Sequence, residues 1–156
     1  MQFKNNYITI LPSWVLFFLL VVPFVLAGSI PYGVSLAGII LILWLYLVGN
    51  SLKVKANLVK GASTRWFNIS LLYSAVYIAI LDIIFHNSPP KIIIPFHLIA
   101  VISIFGALFF VSKLLVASED KKIGHNKRWF GTFFLFWFFP IGIWFVHPRI
   151  KRVLQK

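Results

Sequence analysis

The chain has 156 residues, 60% of them hydrophobic and only 12% charged, and its 15 Lys and Arg stand against 3 Asp and Glu. So little charge excludes an ordinary soluble domain, and the absence of cysteine excludes a disulfide framework and thiolate chemistry. A formal charge of +12 fits either binding of anions such as nucleic acid or retention of basic loops beside anionic lipid.

Five apolar segments follow one another at 11–27, 34–50, 67–86, 92–117 and 129–147. A hydrocarbon core roughly 30 Å thick takes about 20 residues of helix. Segments of this length leave no room for a soluble domain, so residues 1–156 are expected to form a single all-α membrane domain. In the first segment Lys4, the apolar run and Val25-Leu26-Ala27 before Gly28 have the outline of a signal peptide. Pro12 and Pro23 interrupt the run, and it reads as a retained first helix. The second segment carries Ser35, Gly38, Tyr46 and Gly49 along one side. On the third, Asn68, Ala75, Ala79, Asp82 and His86 fall within about 60° of one another at about 100° per residue, with Tyr73 and Tyr77 opposite. The fourth has Ala100, Ser103 and Ala107 on one side. Narrow faces of small and polar residues meet protein or water and not lipid, so they serve either close helix packing or the lining of a pore.

Asp82 is the one acid inside an apolar segment. His86 follows at i+4 on the same face, Lys91 sits in the next link, and His97 lies one turn into the fourth segment. These four can converge in three ways: Asp82 capping the link through Lys91, a proton-sensitive gate, or a metal site of two His and one Asp. The spacing matches no established metal motif. The chain has no HExxH, no nucleophile elbow, no Gly-rich phosphate loop and no carboxylate pair. The expectation is a protein that is not an enzyme and needs no cofactor.

Beyond the fourth segment, Glu119-Asp120 read as loop-borne, with Ser118 capping a helix start. Lys121, Lys122, His125, Asn126, Lys127 and Arg128 then precede Trp129 and Phe130. Cations beside aromatics suit phosphates and stacked bases, and equally the lipid headgroup zone. Lys53, Lys55, Lys60 and Arg65 in an earlier loop, with Arg149, Lys151, Arg152 and Lys156 in the tail, extend this basic set.

The last segment is broken by Pro140 and Gly142, which favour a sharp turn, and Trp129, Trp137 and Trp144 suit headgroups. It is expected to be a re-entrant or Pro-kinked fifth segment, followed at 148–156 by a short interfacial helix with Ile150, Val153 and Leu154 on its apolar face. Five full crossings split the basic residues 10 to 5, whereas a last segment that dips and returns splits them 14 to 1. The positive-inside rule prefers the second, with four transmembrane helices and both termini cytoplasmic.

The stretch Trp137-Phe-Phe-Pro-Ile-Gly-Ile-Trp-Phe-Val-His-Pro-Arg-Ile, with Ile94-Pro95-Phe96-His97-Leu98 upstream, resembles a set of small, uncharacterised polytopic bacterial membrane proteins with a closing FFPIGIW…P[RK]I signature. The resemblance covers about a third of the chain. It implies a bacterial inner-membrane bundle in which the Pro140–Gly142 kink and the Pro148-Arg149-Ile150 exit are design features, and it lends no catalytic residue.

Two functions follow from these readings. The first is a self-assembling homo-oligomeric pore, preferring anions and gated by an anionic cytoplasmic ligand such as a nucleotide or oligonucleotide. The alternative is a membrane scaffold that docks an acidic protein, nucleic acid or lipid on its basic face. A small proton-coupled transporter using Asp82 and the two histidines is weaker, because inverted repeats are absent and the polar groups lie near one surface.

Overall fold

A computed structural model describes residues 11–26, 32–55, 64–84, 91–119 and 128–155. All the elements are helical: α1 (Ser13–Val25), α2 (Gly33–Lys55), α3 (Thr64–Ile84), a 3-10 turn (Lys91–Ile93), α4 (Ile94–Glu119), α5 (Arg128–Trp137) and α6 (Phe139–Gln155). Three of them, over Gly33–Lys53, Thr64–Leu81 and Ile94–Glu119, are long and apolar enough to cross a membrane. The chain is therefore a helical, membrane-associated protein. α1 has 13 residues, about 20 Å of helix, which is shorter than the hydrocarbon core. The expected fourth crossing at 11–27 is thus only partly covered by a described helix.

α2 lies in the middle, touching α1, α3, α4 and α6. It runs antiparallel to α3, with Gly38 against Ile78, Gly49 against the Phe67 ring and Lys53 Nζ donating to Thr64 Oγ1 at 2.6 Å. The two glycines let the helices approach where a side chain would collide: a Cβ on Gly49 would lie 2.5 Å from Phe67 Cζ. Such close approach drives helix association in lipid, where burial of apolar area gives no advantage. α3 in turn runs antiparallel to α4, with Phe67 stacked on Phe110 at 4.7 Å and Tyr73 Oη donating to the Phe96 carbonyl at 3.1 Å. The core is mainly apolar, built around Leu45, Val48, Val111, Leu115, Ile143 and Ile150. Ser74 and Ser112 are buried within it, and each hydroxyl donates to the carbonyl one turn back, Ser70 and Leu108, so neither is orphaned.

The last apolar segment departs most from a plain helix. α5 and α6 are separate helices joined at Phe138, and they fold back on each other as a hairpin. In a straight helix Thr132 and Arg149 would stand about 25 Å apart; here Arg149 Nη1 donates to Thr132 Oγ1 at 3.1 Å. Two residues make the reversal. Pro140 sits in the first turn of α6, where its missing N–H would have had no helical partner. Gly142 presses on the backbone of Leu135, so closely that a Cβ there would overlap the Leu135 carbonyl oxygen and lie 2.5 Å from its carbonyl carbon. The turn satisfies its own donors: Phe138 N–H bonds Phe134 O at 2.8 Å, and the N–H groups of Ile141 and Gly142 both bond Phe138 O, at 3.0 and 2.8 Å.

The hairpin tip stops halfway along the bundle. Phe136 packs on Trp44 of α2 at 5.7 Å, and Trp137 lies against Phe105, near the middle of α4. α6 then returns beside α1, with Trp144 at 5.7 Å from Phe17 and His147 Nε2 at 2.8 Å from the Leu11 carbonyl. The expected interfacial helix at 148–156 is instead the end of α6, where Ile150, Val153 and Leu154 are buried in the bundle. Its apolar face finds helix partners before it finds lipid.

Gly142→Ala should prevent the hairpin from closing and cost about 3 kcal/mol or more. Gly131→Ala, where a Cβ meets nothing within 4 Å, should change stability by no more than about 0.5 kcal/mol. Thermal unfolding of the two variants in the same detergent checks the contrast, and equal loss in both would contradict it.

Candidate functional site

The hairpin brings four stretches of chain to one end of the bundle. Leu11 meets His147, Lys53 meets Thr64, and Glu119 meets Arg149. The start of the described chain at Leu11, the ends of α2 and α4, the starts of α3 and α5 and the C-terminal turns of α6 therefore share that end. At its centre Arg149 makes a forked contact with Glu119, Nε to Oε1 at 2.8 Å and Nη2 to Oε2 at 2.5 Å, while its third nitrogen holds Thr132. One guanidinium thus ties α4, α5 and α6 together. The pair is half-buried, with side-chain exposures of 26% and 28%, and its planar two-bond geometry is the strong form of an ion pair.

This contact corrects two readings of the sequence. Glu119 belongs to the last turn of α4 and is not loop-borne. Ser118 caps no helix start: its hydroxyl donates back to the Leu114 carbonyl at 2.7 Å, inside α4. Arg149, expected to meet an anionic ligand or lipid, has its guanidinium engaged within the chain. The signal in the sequence was the scarcity of acid, since a lone glutamate among so many cations will be claimed by one of them. Which one depends on the hairpin.

Other expected contact residues scatter. Lys53 and Arg152 are exposed, as is Arg65, at this end. Trp129 is half-buried, edge-on to Phe109 at 4.7 Å. Lys55 closes α2 and Arg128 opens α5, but their side chains lie outside the described residues, as do Lys121, Lys122, His125 and Lys127 altogether. His147, which the sequence reading did not single out, is fully buried. Its Nε2 faces the Leu11 carbonyl, so that nitrogen carries the proton, and its Nδ1 has no partner among the described residues.

At the opposite end, Asp82 lies in the last turn of α3 and Lys91 opens the 3-10 turn. Their side chains, and His86 entirely, lie outside the described residues. His97 is exposed, with its Nδ1 3.2 Å from the Tyr77 hydroxyl. Among the described residues no three His, Asp or Glu come together to hold a metal. The small-residue faces divide. Ser35, Gly38 and Gly49 all turn toward α3, the Ser35 hydroxyl reaching Ile78 O at 3.5 Å. On α3 the buried positions are Phe67, Leu71 and Ser74. Ala75 packs at the margin of that face, Ala79 is half-buried and Asn68 is exposed. Packing between α2 and α3 accounts for the glycines, while Asn68 stays on the perimeter.

Arg149→Gln should destabilise the folded protein by about 2 kcal/mol, between the limits for surface and buried pairs. The charge swap Glu119→Arg with Arg149→Glu should recover part of that loss, which a double-mutant cycle on thermal unfolding in detergent would read. An additive cycle would show that the two groups do not act together. Comparison with family models, curated proteins and solved structures yields no match.

Proposed function

We propose that this chain is a non-enzymatic integral membrane protein of the bacterial inner membrane whose copies assemble into a pore. In this reading the segment 11–27 that contains α1 crosses together with α2, α3 and α4, and the α5–α6 hairpin enters and leaves by the cytoplasmic leaflet. Both termini and the basic loops then lie in the cytoplasm, as the positive-inside rule asks.

The observation that carries the proposal is the outward face of the hairpin. Phe130, Phe134, Phe138, Ile141, Trp144 and Phe145 are all exposed on the single chain, and they surround a chain reversal halfway along the bundle. Irregular backbone at that depth is tolerated only where protein or a water-filled cavity covers it, and a neighbouring copy supplies the cover. The filled core of Leu45, Val48, Val111 and Leu115 supports a conduit between copies and not within one. α3 is the least enclosed of the three long helices, with 17% of its span buried against 39% and 44% for α2 and α4, so its Asn68 side is available to line an axis. A mouth ringed by Lys53, Arg65 and Arg152 favours anions and suits an anionic cytoplasmic ligand such as a nucleotide or oligonucleotide. The exposure of those same three cations also supports a scaffold that docks an acidic protein, nucleic acid or lipid.

Purified protein in a planar bilayer under a KCl gradient should carry current that reverses toward the chloride potential, and Lys53→Gln with Arg152→Gln should reduce that preference. Silence, also after addition of nucleotides and oligonucleotides, would replace the pore by the scaffold, whose partners should dissociate at high salt because screening sets in beyond about 10 Å at 0.1 M. A cysteine at Gln155 in this cysteine-free chain should resist an impermeant label on intact cells. Labelling from outside would overturn the orientation.

A further inference from the structure

The perimeter of α4 carries a charge that the bundle leaves unbalanced. Lys113 is the only Lys, Arg, Asp or Glu between Ile94 and Ser118, and it is exposed. It stands six residues before Glu119, about 9 Å along the axis, inside a stretch apolar enough to cross a membrane. Its ammonium lies 4.3 Å from the centroid of the Phe109 ring and 5.5 Å from that of Trp129, on the seam between α4 and α5. These two rings hold the cation by their negative faces. They do not neutralise it.

No carboxylate among the described residues is free to do so. The chain has 3 acids. Glu119 has both oxygens on Arg149, Asp82 is in the last turn of α3 at the far end of the bundle, and Asp120 lies outside the described residues. An unpaired ammonium turned toward hydrocarbon is costly, so such groups pair or reach for the interface. The anion present on that flank of a membrane protein is the phosphate of a lipid. The apolar surface below Lys113 has room for the rest of the molecule. Helical spacing puts Ile102, Gly106, Phe109 and Lys113 on one face, all four are exposed, and a Cβ on Gly106 would meet nothing within 4 Å. Gly106 therefore leaves an open strip between the Phe109 and Ile102 side chains, in line with the cation.

We propose that Lys113, Phe109 and Trp129 bind the phosphate of an anionic phospholipid, one of whose acyl chains lies along the Gly106 strip. The lipid, and not a free phosphate, is the occupant because the approach is through the apolar flank of α4. A soluble anion would come to the aqueous end, where Lys53, Arg65 and Arg152 stand exposed. The site depends on α4 being embedded and not on the pore reading, so either can fail alone.

Native mass spectrometry of the full chain released from detergent, with dioleoylphosphatidylglycerol or dioleoylphosphatidylcholine added, tests this. The expected result is one phosphatidylglycerol retained per chain in preference to phosphatidylcholine. Lys113→Gln should lower that occupancy about five-fold, and Lys113→Arg should keep it. Gly106→Trp, which fills the strip and leaves the charge, should lower it as well. Retention of phosphatidylglycerol by both Lys113→Gln and Gly106→Trp at the level of the unaltered chain would overturn the proposal. So would its displacement by millimolar inorganic phosphate, which would mark a site for free anions.

Discussion

The return of the C-terminal helix to the basic end of this molecule depends on the contact between Gly142 and the backbone of Leu135. A chain that reverses within a helix bundle must bring its two arms together without stranding backbone groups. Here the two N–H groups that follow the reversal share one acceptor, the Phe138 carbonyl, and a hydrogen atom in place of a side chain at 142 lets α6 lie directly on α5. From that approach follow the return of the tail beside α1, the contact of Arg149 with Glu119, and the burial of Ile150 and Leu154. A residue of any size at 142 would disconnect these together.

Within the bundle, polarity is spent sparingly and in distinct ways. Buried hydroxyls turn back on their own helix, as at Ser74 and Ser112. The described ion pair is placed where three helices meet, so that one guanidinium does the work of several weaker contacts. Among the other described cations Lys53, Arg65, Lys113 and Arg152 are exposed and Lys151 is half-buried. Among the described residues charge therefore divides into one structural arginine and a set of outer cations, and Lys113 is the member of that set that lies in the apolar stretch of α4. Its aromatic cradle is formed by one residue from α4 and one from α5, so the seam between those two helices also holds this cation.

The same arrangement relates the two readings of function. A single chain with a filled core has its exposed aromatic surface on the perimeter and exposed cations at one end. The proposed assembly and the proposed anion recognition would then use separate faces. An assembled protein without conductance would still have the basic end.

Much of the helical content was legible because hydrophobic runs of this length have no other outcome in a membrane protein. The segments at 34–50, 67–86 and 92–117 match α2, α3 and α4 to within a few residues at most of their ends. Pro140 and Gly142 marked the break in the last segment for local reasons, a missing donor and a missing side chain. What local chemistry leaves open is the angle at that break, since the same two residues allow a kink or a full reversal. Only packing of α5 on α4 and of α6 on α1 and α2 decided for the hairpin. The partners of Glu119, Arg149 and His147 were hidden for the same reason: each contact joins residues far apart in the chain, and nothing near them in sequence records the distance. The small-residue faces show the boundary most clearly. The sequence by itself determined that Gly38 and Gly49 could admit a neighbour, because a glycine on an apolar helix leaves space. Tertiary structure alone decided that the neighbour is α3, because filling that space requires Ile78 and Phe67 to arrive from another helix.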